Sequence, residues 1–236
     1  MDAIILAGGL GTRLSSVVHD IPKCMAPVAG RPFLYYLLRY LSNYPISKVI
    51  LSVGHLREHI LAWVDSCHKE FPFTIGFAIE ETPLGTGGAI QLAMKQVESS
   101  EAIIINGDTF FDVDLNLLLH QHRASCTSLS IALKPMSDFD RFGNVILGED
   151  SRVLKFQEKQ YCESGLINGG IYIINREHPF FIGLPEKFSF ERNVLESPNN
   201  LGLISGFSHE RYFMDMGVPD DYARINDDFK TYFNEH

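Results

Sequence analysis

Short apolar runs alternate with amphipathic stretches through the first half of the chain. The apolar runs are typical of buried strands in a parallel sheet. They occupy residues 3–6, 48–53, 74–79 and 102–105. Between them, apolar residues recur at helical spacing after Pro32, around Ile60 and Val64, and over residues 89–97. This alternation predicts a doubly wound, Rossmann-like α/β fold, whose ligand crevice lies at the carboxyl ends of the strands.

The second half of the chain is richer in strand patterns. Strands are predicted over residues 127–134, 143–147, 153–158 and 167–174, with a hairpin turn at residues 148–150. Pro219 and the acidic residues after it begin a predicted helix over residues 219–233. We therefore expect a mixed, mainly parallel sheet with a small β-rich extension. No linker or repeat interrupts the pattern, so one domain is predicted over residues 1–236, with halves of roughly 1–125 and 126–236.

The composition limits the classes of function. The 236 residues are 45% hydrophobic, which is enough for a sizeable core. The formal net charge of -9 argues against a nucleic-acid binder, because affinity for the phosphate backbone comes mainly from clustered Lys and Arg. The chain has no apolar run of about 18 residues and begins directly with a predicted strand, so we expect no membrane association and a cytoplasmic location.

The cysteines suggest neither a zinc site nor a disulfide framework. They are far apart and lack Cys-x-x-Cys spacing. They are Cys24, Cys67, Cys126 and Cys162. We therefore expect free thiols.

A glycine-rich loop follows the first predicted strand. Gly8, Gly9 and Gly11 let the backbone approach a ligand closely, and the amides after them can point at phosphate oxygens. Arg13 adds positive charge there. The loop has neither the Gly-Lys-Ser/Thr ending of a P-loop nor the complete Gly-x-Gly-x-x-Gly of the dinucleotide fingerprint. Taken alone, such a loop is as often a tight strand-to-helix connection as a phosphate site.

The segment Asp20-Ile-Pro-Lys-Cys-Met-Ala-Pro27 supports phosphate binding, because Pro22 stiffens the chain and Lys23 can return to the same phosphates. With the helix that begins at Gly30-Arg-Pro-Phe33, these segments resemble the N-terminal signature of the sugar-phosphate nucleotidyltransferase family. The resemblance covers nearly the whole chain and implies the nucleotidyltransferase fold, which is similar to the glycosyltransferase-A fold. It implies a nucleotide site formed by Leu6, Ala7, Gly8, Gly9, Gly11, Thr12, Arg13, Lys23, Glu80, Gly85 and Thr86.

The segment Glu80-Glu-Thr-Pro-Leu-Gly-Thr-Gly-Gly-Ala-Ile90 resembles the family's base-reading segment, in which the residue at the position of Glu80 faces the nucleobase. An ionised carboxylate only accepts hydrogen bonds, and guanine presents a ring N–H and an amino group together. Glu80 therefore favours GTP over UTP or dTTP, whose bases offer one such donor. Glu81 is the alternative reader, neighbouring backbone groups can reverse the preference, and the glycines alone also suit a tight turn.

Two aspartates in family order indicate a metal site. Asn106-Gly-Asp-Thr109 resembles the family's Gly-Asp segment, and Phe213-Met-Asp-Met-Gly-Val-Pro219 resembles the segment with its second metal carboxylate. The resemblance implies that Asp108 and Asp215 bind Mg²⁺, an ion that prefers oxygen ligands and keeps several waters. Without the resemblance, an aspartate at such a position is often a turn or cap residue.

Three further segments resemble the family's sugar-phosphate site. Gly143 corresponds to a glycine that contacts the sugar, and Asn168 begins a segment that resembles the next sugar-contacting strand. Glu158-Lys159 resembles the pair in which the glutamate accepts sugar hydroxyls and the lysine holds the sugar phosphate. Outside this context, Glu158-Lys159 is equally well explained as a solvated charged turn.

The resemblance implies an enzyme that transfers a nucleoside monophosphate to a sugar 1-phosphate and releases pyrophosphate, with Arg13, Lys23 and Asp108 as catalytic residues. Within the family, the motifs are most similar to the D-glycero-D-manno-heptose 1-phosphate guanylyltransferases. Mannose 1-phosphate guanylyltransferases come next, and uridylyl-, thymidylyl- and cytidylyltransferases of glucose 1-phosphate stay open. The oligomeric state also stays open, a homo-oligomer included.

Two alternatives belong to other functional classes. Asp112-Val-Asp114 spells the Asp-x-Asp with which glycosyltransferases of similar fold bind the metal of a sugar nucleotide, and such an enzyme would release a nucleoside diphosphate. A nucleotide-sensing subunit with a decayed site would bind the triphosphate without turnover. The other motifs favour the nucleotidyltransferase.

Overall fold

The structure, a computed structural model, describes residues 1–9, 20–157, 159–217 and 219–233. In chain order the strands are β1 (Asp2–Leu6), β2 (Pro27–Val28), β3 (Arg31–Pro32), β4 (Lys48–Val53), β5 (Thr74–Ile79), β6 (Glu101–Asn106), β7 (Thr109–Phe111), β8 (Leu129–Phe139), β9 (Asn144–Leu147), β10 (Val153–Gln157), β11 (Cys162–Asn175), β12 (Ile204–Ser208) and β13 (Phe213–Asp215). The α-helices are α1 (Phe33–Leu41), α2 (Arg57–Cys67), α3 (Gly85–Met94), α4 (Leu115–Ser125) and α5 (Pro219–Tyr232).

The central sheet has a parallel half and a mainly antiparallel half, in which β12 is parallel to β8. Its strand order is β10-β9-β11-β6-β1-β4-β5, with β8 beside β11 and β12 beside β8. The four strands predicted in the first half of the chain, β1, β4, β5 and β6, are all parallel. Their carboxyl ends therefore meet at the same edge, as the predicted fold requires.

Helices cover both faces of the parallel half. Side chains of β1 alternate, so that Ile5 packs with α1, α2, α4 and α5 on one face, while Ile4 packs with α3 on the other. Phe33 at the start of α1 and Ile90 in α3 are both fully buried. The doubly wound α/β class predicted from the sequence is confirmed.

The antiparallel half is organised by β11, which pairs with β6 on one side and with β8 on the other. Its register shifts between Asn168 and Tyr172. Gly170 lies in this irregularity with φ at 74°, a conformation that glycine adopts without steric cost. β9 and β10 form the predicted hairpin around residues 148–150. The β-rich extension thus joins the same sheet as the parallel strands.

Several elements differ from the predicted ones. α3 begins at Gly85 rather than near residue 89, and α4, β7, β12 and β13 were not predicted. α5 begins at Pro219 as predicted. All four cysteines are free thiols. Across the part of the chain that the structure describes, every helix is too short or too polar to cross a membrane.

Candidate active site

An open cleft of about 710 Å³ lies at the carboxyl ends of β1, β4 and β6 and receives side chains from both halves of the chain. Every predicted site residue that the structure describes lines this cleft. They are Leu6, Ala7, Gly8, Gly9, Lys23, Glu80, Gly85, Thr86, Asp108, Gly143, Lys159, Asn168 and Asp215. The remaining predicted residues, Gly11, Thr12, Arg13 and Glu158, lie outside the described residues. The cleft brings the motifs together, while the binding role of each residue stays a prediction.

An ion pair at the centre of the cleft joins two distant motifs. Lys23 Nζ lies 2.7 Å from Asp108 Oδ2, and the side chains are 13% and 41% exposed. Pro22, with φ at -59°, leads into a short 3-10 turn that aims Lys23 at the cleft. The next residue, Cys24, is buried and its thiol contacts the carbonyl of Ala7 in the glycine-rich loop. The turn that contains Lys23 therefore contacts the start of the glycine-rich loop.

Burial also determines the protonation state of the Cys24 thiol. Removal from water raises the pKa of its thiol to about 12, with a smaller contribution from the negative charge of Asp108. The thiol is therefore neutral at physiological pH. Cys24 acts here as a packing residue and not as a nucleophile.

A small two-stranded ribbon brings Asp215 close to Asp108. β7 follows Asp108 directly and pairs antiparallel with β13, so that Asp215 lies opposite Thr109. The amide of Met216 donates to the carbonyl of Asp108 at 3.0 Å, and Thr109 Oγ1 donates to Asp108 Oδ1 at 3.2 Å. Segments more than a hundred residues apart therefore present two carboxylates to one part of the cleft.

The electrostatics at these carboxylates suit a divalent cation. Burial raises the pKa of Asp215, the charge of Asp108 raises it further, and Lys23 lowers it. The pair is thus incompletely neutralised by protein groups. Among the described residues no third His, Cys, Asp or Glu completes a metal-binding group. A cation held here would draw its other ligands from phosphate oxygens and water, which is the habit of Mg²⁺.

Glu80 lines the cleft beside the glycine-rich loop, where the sequence predicts the nucleotide. Its Oε1 accepts from Ser52 Oγ at 3.3 Å, and its Oε2 accepts from the amide of Leu84 at 3.0 Å. A Cβ on Gly8 would lie 2.8 Å from Oε1, so a side chain there would push this carboxylate out of its position. Glu81 instead points to Arg57 at 3.3 Å and is exposed outside the cleft. The geometry therefore favours Glu80 over Glu81 as the base-facing residue.

The glycines after Glu80 also pack against a distant segment of the chain. A Cβ on Gly85 or Gly88 would strike the backbone of Phe188 or Glu186, and one on Gly87 would strike the Phe188 ring. The amide of Gly87 donates to the carbonyl of Phe188 at 3.0 Å. The sequence predicts that these glycines let the backbone approach a ligand closely. In the structure they also let it approach residues 186–188 of the protein itself.

The predicted sugar-phosphate residues Gly143, Lys159 and Asn168 also line the cleft, and the part that they form is called its acceptor end. Asn168 is largely engaged within the protein: Oδ1 accepts from the amide of Gly170 at 3.0 Å, and Nδ2 donates to Tyr172 Oη at 2.8 Å. One amide hydrogen remains for a ligand. Lys159 is exposed and forms no ion pair with any residue that the structure describes. It is therefore available to a phosphate.

The family model described as nucleotidyl transferase matches residues 2–231. The chain belongs to this family. It is 44% identical over 232 residues to the D-glycero-alpha-D-manno-heptose 1-phosphate guanylyltransferase of Aneurinibacillus thermoaerophilus, across 98% of this chain and 100% of that protein. It is 45% identical over 222 residues to the protein of the same name from Campylobacter jejuni, across 94% and 97% of the two chains.

A solved structure agrees with this membership. HddC from Yersinia pseudotuberculosis, complexed with GMP-PN, superimposes with a TM-score of 0.82 at 38% identity, over 97% of this chain and 99% of that one. The family, the fold class and the enzymatic nature predicted from the sequence are confirmed. This chain is thus a nucleotidyl transferase with a cleft built from both halves of its sheet.

The cleft of this nucleotidyl transferase also contains charged residues that the sequence motifs did not reveal. Arg141 lines it two residues before Gly143, and its Nη2 donates to Asp221 Oδ2 of α5 at 2.8 Å. Glu191 and Glu196 enter from the segment after β11. Arg141 adjoins a recognised motif and was within reach of sequence reasoning. The glutamates lie in no motif, and only the packing of residues 186–188 against α3 brings them to the cleft.

The Asp-x-Asp triplet has a structural explanation in this nucleotidyl transferase. Asp114 is the N-cap of α4, and its Oδ1 accepts from the amides of Asn116 and Leu117 at 3.0 and 3.2 Å. Asp112 hydrogen-bonds to Tyr232 and raises the pKa of that hydroxyl, to which burial contributes most. Neither aspartate lines the cleft. The triplet therefore serves a helix start and the packing of α5.

Proposed function

We propose that the protein transfers GMP from GTP to D-glycero-α-D-manno-heptose 1-phosphate and releases pyrophosphate. The observation that carries the proposal is the group of Lys23, Asp108 and Asp215 in the middle of the cleft, between a base-facing carboxylate and an acceptor end with a free lysine. The names of the two heptose 1-phosphate guanylyltransferases support the choice of both substrates. In this proposal the chain is a single catalytic domain that acts in the cytoplasm.

The proposed reaction is an in-line displacement without a covalent enzyme intermediate. An oxygen of the sugar 1-phosphate attacks the α-phosphorus of GTP, the new P–O bond forms, and the bond to the β-phosphate oxygen breaks to release pyrophosphate. Lys23 holds the α-phosphate, and Lys159 orients the attacking phosphate. Arg13, outside the described residues, is proposed to bind the leaving pyrophosphate. Positioning and charge neutralisation supply most of the rate in such a scheme.

Mg²⁺ is the proposed cofactor, held by Asp108 and Asp215. Bound there, it would neutralise charge on the triphosphate and on the departing pyrophosphate. Burial and the negative charge of Asp108 raise the pKa of Asp215, and an added positive charge would counteract both effects. Removal of divalent ions with EDTA should abolish pyrophosphate release, and Mg²⁺ should restore it. Full activity in EDTA would contradict the metal assignment.

Guanine is the proposed base because Glu80 can accept from two adjacent donors. Its oxygens are already oriented by Ser52 and Leu84, yet an ionised carboxylate offers about four acceptor positions, so capacity remains for a base. The absence of a side chain at Gly8 avoids crowding of Oε1. This pre-orientation lowers the entropy cost of recognition.

A pyrophosphate-release screen tests the proposal. It crosses ATP, GTP, CTP and UTP with the 1-phosphates of D-glycero-D-manno-heptose, mannose and glucose. We expect release with GTP, and the highest kcat/KM with the heptose 1-phosphate. Better turnover of mannose 1-phosphate would reassign the acceptor, and activity with UTP and glucose 1-phosphate but not GTP would overturn the role of Glu80. Release of nucleoside diphosphate, or binding without turnover, would exclude the proposed reaction.

A lysine comparison tests the catalytic centre. Lys23→Ala should lower kcat by about a hundredfold, as removal of a preorganised charge at a reacting phosphate does. Lys69→Ala is the matched control, since Lys69 is exposed and lies outside the cleft. Circular dichroism and thermal melting establish that both variants fold. Wild-type turnover in Lys23→Ala would contradict its assignment.

A further inference from the structure

The carboxylate of Glu191 lines the cleft but belongs to none of the sequence motifs. It begins the π-helical turn Glu191–Leu195 and is partly buried. Its Oε2 accepts from Thr86 Oγ1 at 2.6 Å and from Ser189 Oγ at 2.8 Å. The Thr86 hydroxyl also accepts from the amide of Phe190 at 2.9 Å, so the partner of Glu191 is itself held in place. The side chain is thus fixed in position and aimed into the cleft.

The charge of Glu191 limits what it can bind. Both of its partners are neutral hydroxyls, and it forms no ion pair with the described residues. Its Oε1 has no hydrogen-bond partner in that part of the chain. An ionised carboxylate repels phosphate and binds cations or hydrogen-bond donors. Sugar hydroxyls are the donors that the proposed acceptor would bring to this carboxylate.

The neighbours of Glu191 belong to the acceptor end. Phe190, the preceding residue, packs edge-on against Tyr172 of β11 with ring centroids 5.2 Å apart. The Tyr172 hydroxyl accepts from Asn168, a predicted sugar-binding residue. Burial raises the pKa of Tyr172, and the negative charge of Glu191 is the next largest cause, which indicates that the carboxylate lies near this pair.

We propose that Oε1 of Glu191 accepts hydrogen bonds from hydroxyl groups of the sugar 1-phosphate and is a specificity-determining residue for the acceptor. The inference rests on the proposed function and deepens it. Because Oε2 accepts from Thr86, which belongs to the predicted base-reading segment, the same side chain connects this segment to the acceptor end. Glu158, the glutamate of the recognised motif, would then share hydroxyl recognition with a second carboxylate.

Steady-state kinetics of Glu191→Ala and Glu191→Gln test this proposal. Loss of a charged acceptor should raise KM for the heptose 1-phosphate about tenfold or more in Glu191→Ala, and KM for GTP should stay within about twofold. Glu191→Gln keeps one amide oxygen as an acceptor and should lie between the wild type and the alanine variant. Glu186→Gln is the matched control, because Glu186 is exposed in the same segment and lies outside the cleft.

Deoxy analogues of the acceptor identify the contact. An analogue that lacks the hydroxyl bound by Glu191 should have a lower kcat/KM with the wild type. The same analogue should show little further loss with Glu191→Ala. A rise in KM for GTP alone would overturn the proposal and assign Glu191 to the nucleotide through Thr86. An unchanged KM for the acceptor would also overturn it. If the wild type turns over no sugar 1-phosphate at all, the proposed function itself fails, which is a separate outcome.

Discussion

At the scale of single residues, Glu80 and Lys23 illustrate how much the motifs convey. Both were predicted from local sequence, and both line the cleft, Lys23 in an ion pair with Asp108. The motifs did not reveal the protein groups that orient them. Ser52 donates to Glu80 from a fully buried position on β4. Such partners depend on strand pairing between distant segments, which residue spacing alone does not specify.

Base selectivity follows from the orientation of Glu80. Hypoxanthine keeps the ring N–H of guanine but lacks its amino group, so ITP forms one hydrogen bond fewer with a carboxylate. A hydrogen bond to a charged group contributes about 1.5–3 kcal/mol, so the wild type should prefer GTP over ITP by about tenfold or more in kcat/KM. Glu80→Gln should bring this ratio close to one.

The neighbouring glutamate is the control for base selectivity. Glu81→Gln removes the same charge one residue away, from a side chain that is exposed and bonded to Arg57. The GTP to ITP ratio should not change in this variant. A ratio that falls in Glu81→Gln and persists in Glu80→Gln would transfer the base-reading role to Glu81.

At the scale of secondary structure, long periodic elements were predictable and short ones were not. α1 has apolar residues on one face over nine residues, and its bounds follow from that pattern. β7 and β13 have three residues each, too few for a period of two to be detected, yet they join Asp108 to Asp215. α4 was not predicted, although Asp114, a metal ligand only in the glycosyltransferase alternative, is its N-cap.

The cap role of Asp114 gives a direct test against the glycosyltransferase alternative. Asp114→Ala leaves two amides of the first turn of α4 unsatisfied and should cost about 1 kcal/mol of unfolding free energy. Turnover at saturating substrate should remain close to that of the wild type, because Asp114 lies outside the cleft. Urea unfolding and pyrophosphate release measure the two effects. Loss of all activity in a folded variant would revive a metal role for the triplet.

The contact between α3 and residues 186–188 should be sensitive to a single methyl group. In Gly88→Ala the new Cβ meets the carbonyl oxygen of Glu186 and lies 2.8 Å from Leu84 Cβ. Overpacking of this kind costs about 1–3 kcal/mol. Since the displaced segment carries Glu191, KM for the sugar 1-phosphate should rise together with the loss of stability.

Gly202→Ala is the control for this substitution, because no atom lies within 4 Å of a Cβ built on Gly202. Its stability and kinetics should match those of the wild type within about 0.5 kcal/mol. Wild-type stability in Gly88→Ala would mean that α3 tolerates the methyl group and that the packing argument is wrong.

At the scale of the whole molecule, one sheet serves two chemically different tasks. Its parallel half places the carboxyl ends of β1, β4 and β6 at the cleft, as the alternation of strands and helices predicted. Its antiparallel half brings β11 alongside β6, so that acceptor residues face the same cleft. The sequence pattern predicted both halves separately. Their junction could not be read from it, because strand order in a mixed sheet depends on contacts between residues far apart in the chain.

The stability of the whole molecule should fall in mild acid. Burial lowers the pKa values of His122, His178 and His209, and that of His178 reaches about 4. His178 Nδ1 accepts from the amide of Phe180 at 3.2 Å, and protonation would remove this acceptor. The unfolded chain therefore takes up protons near its ordinary pKa while the folded state resists them. Stability is complete above that value and declines as the pH falls toward 4.

Replacement of His178 separates its contribution from those of the other histidines. His178→Asn keeps a side-chain acceptor but cannot be protonated, so its loss of stability between pH 7 and pH 5 should be smaller than that of the wild type by about 1–2 kcal/mol. His59→Asn is the matched control, because it makes the same substitution at an exposed histidine of α2. Urea unfolding followed by circular dichroism at the two pH values measures the difference. Parallel curves for His178→Asn and the wild type would mean that this histidine is protonated in the folded protein, in conflict with its place between Phe180 and Phe181.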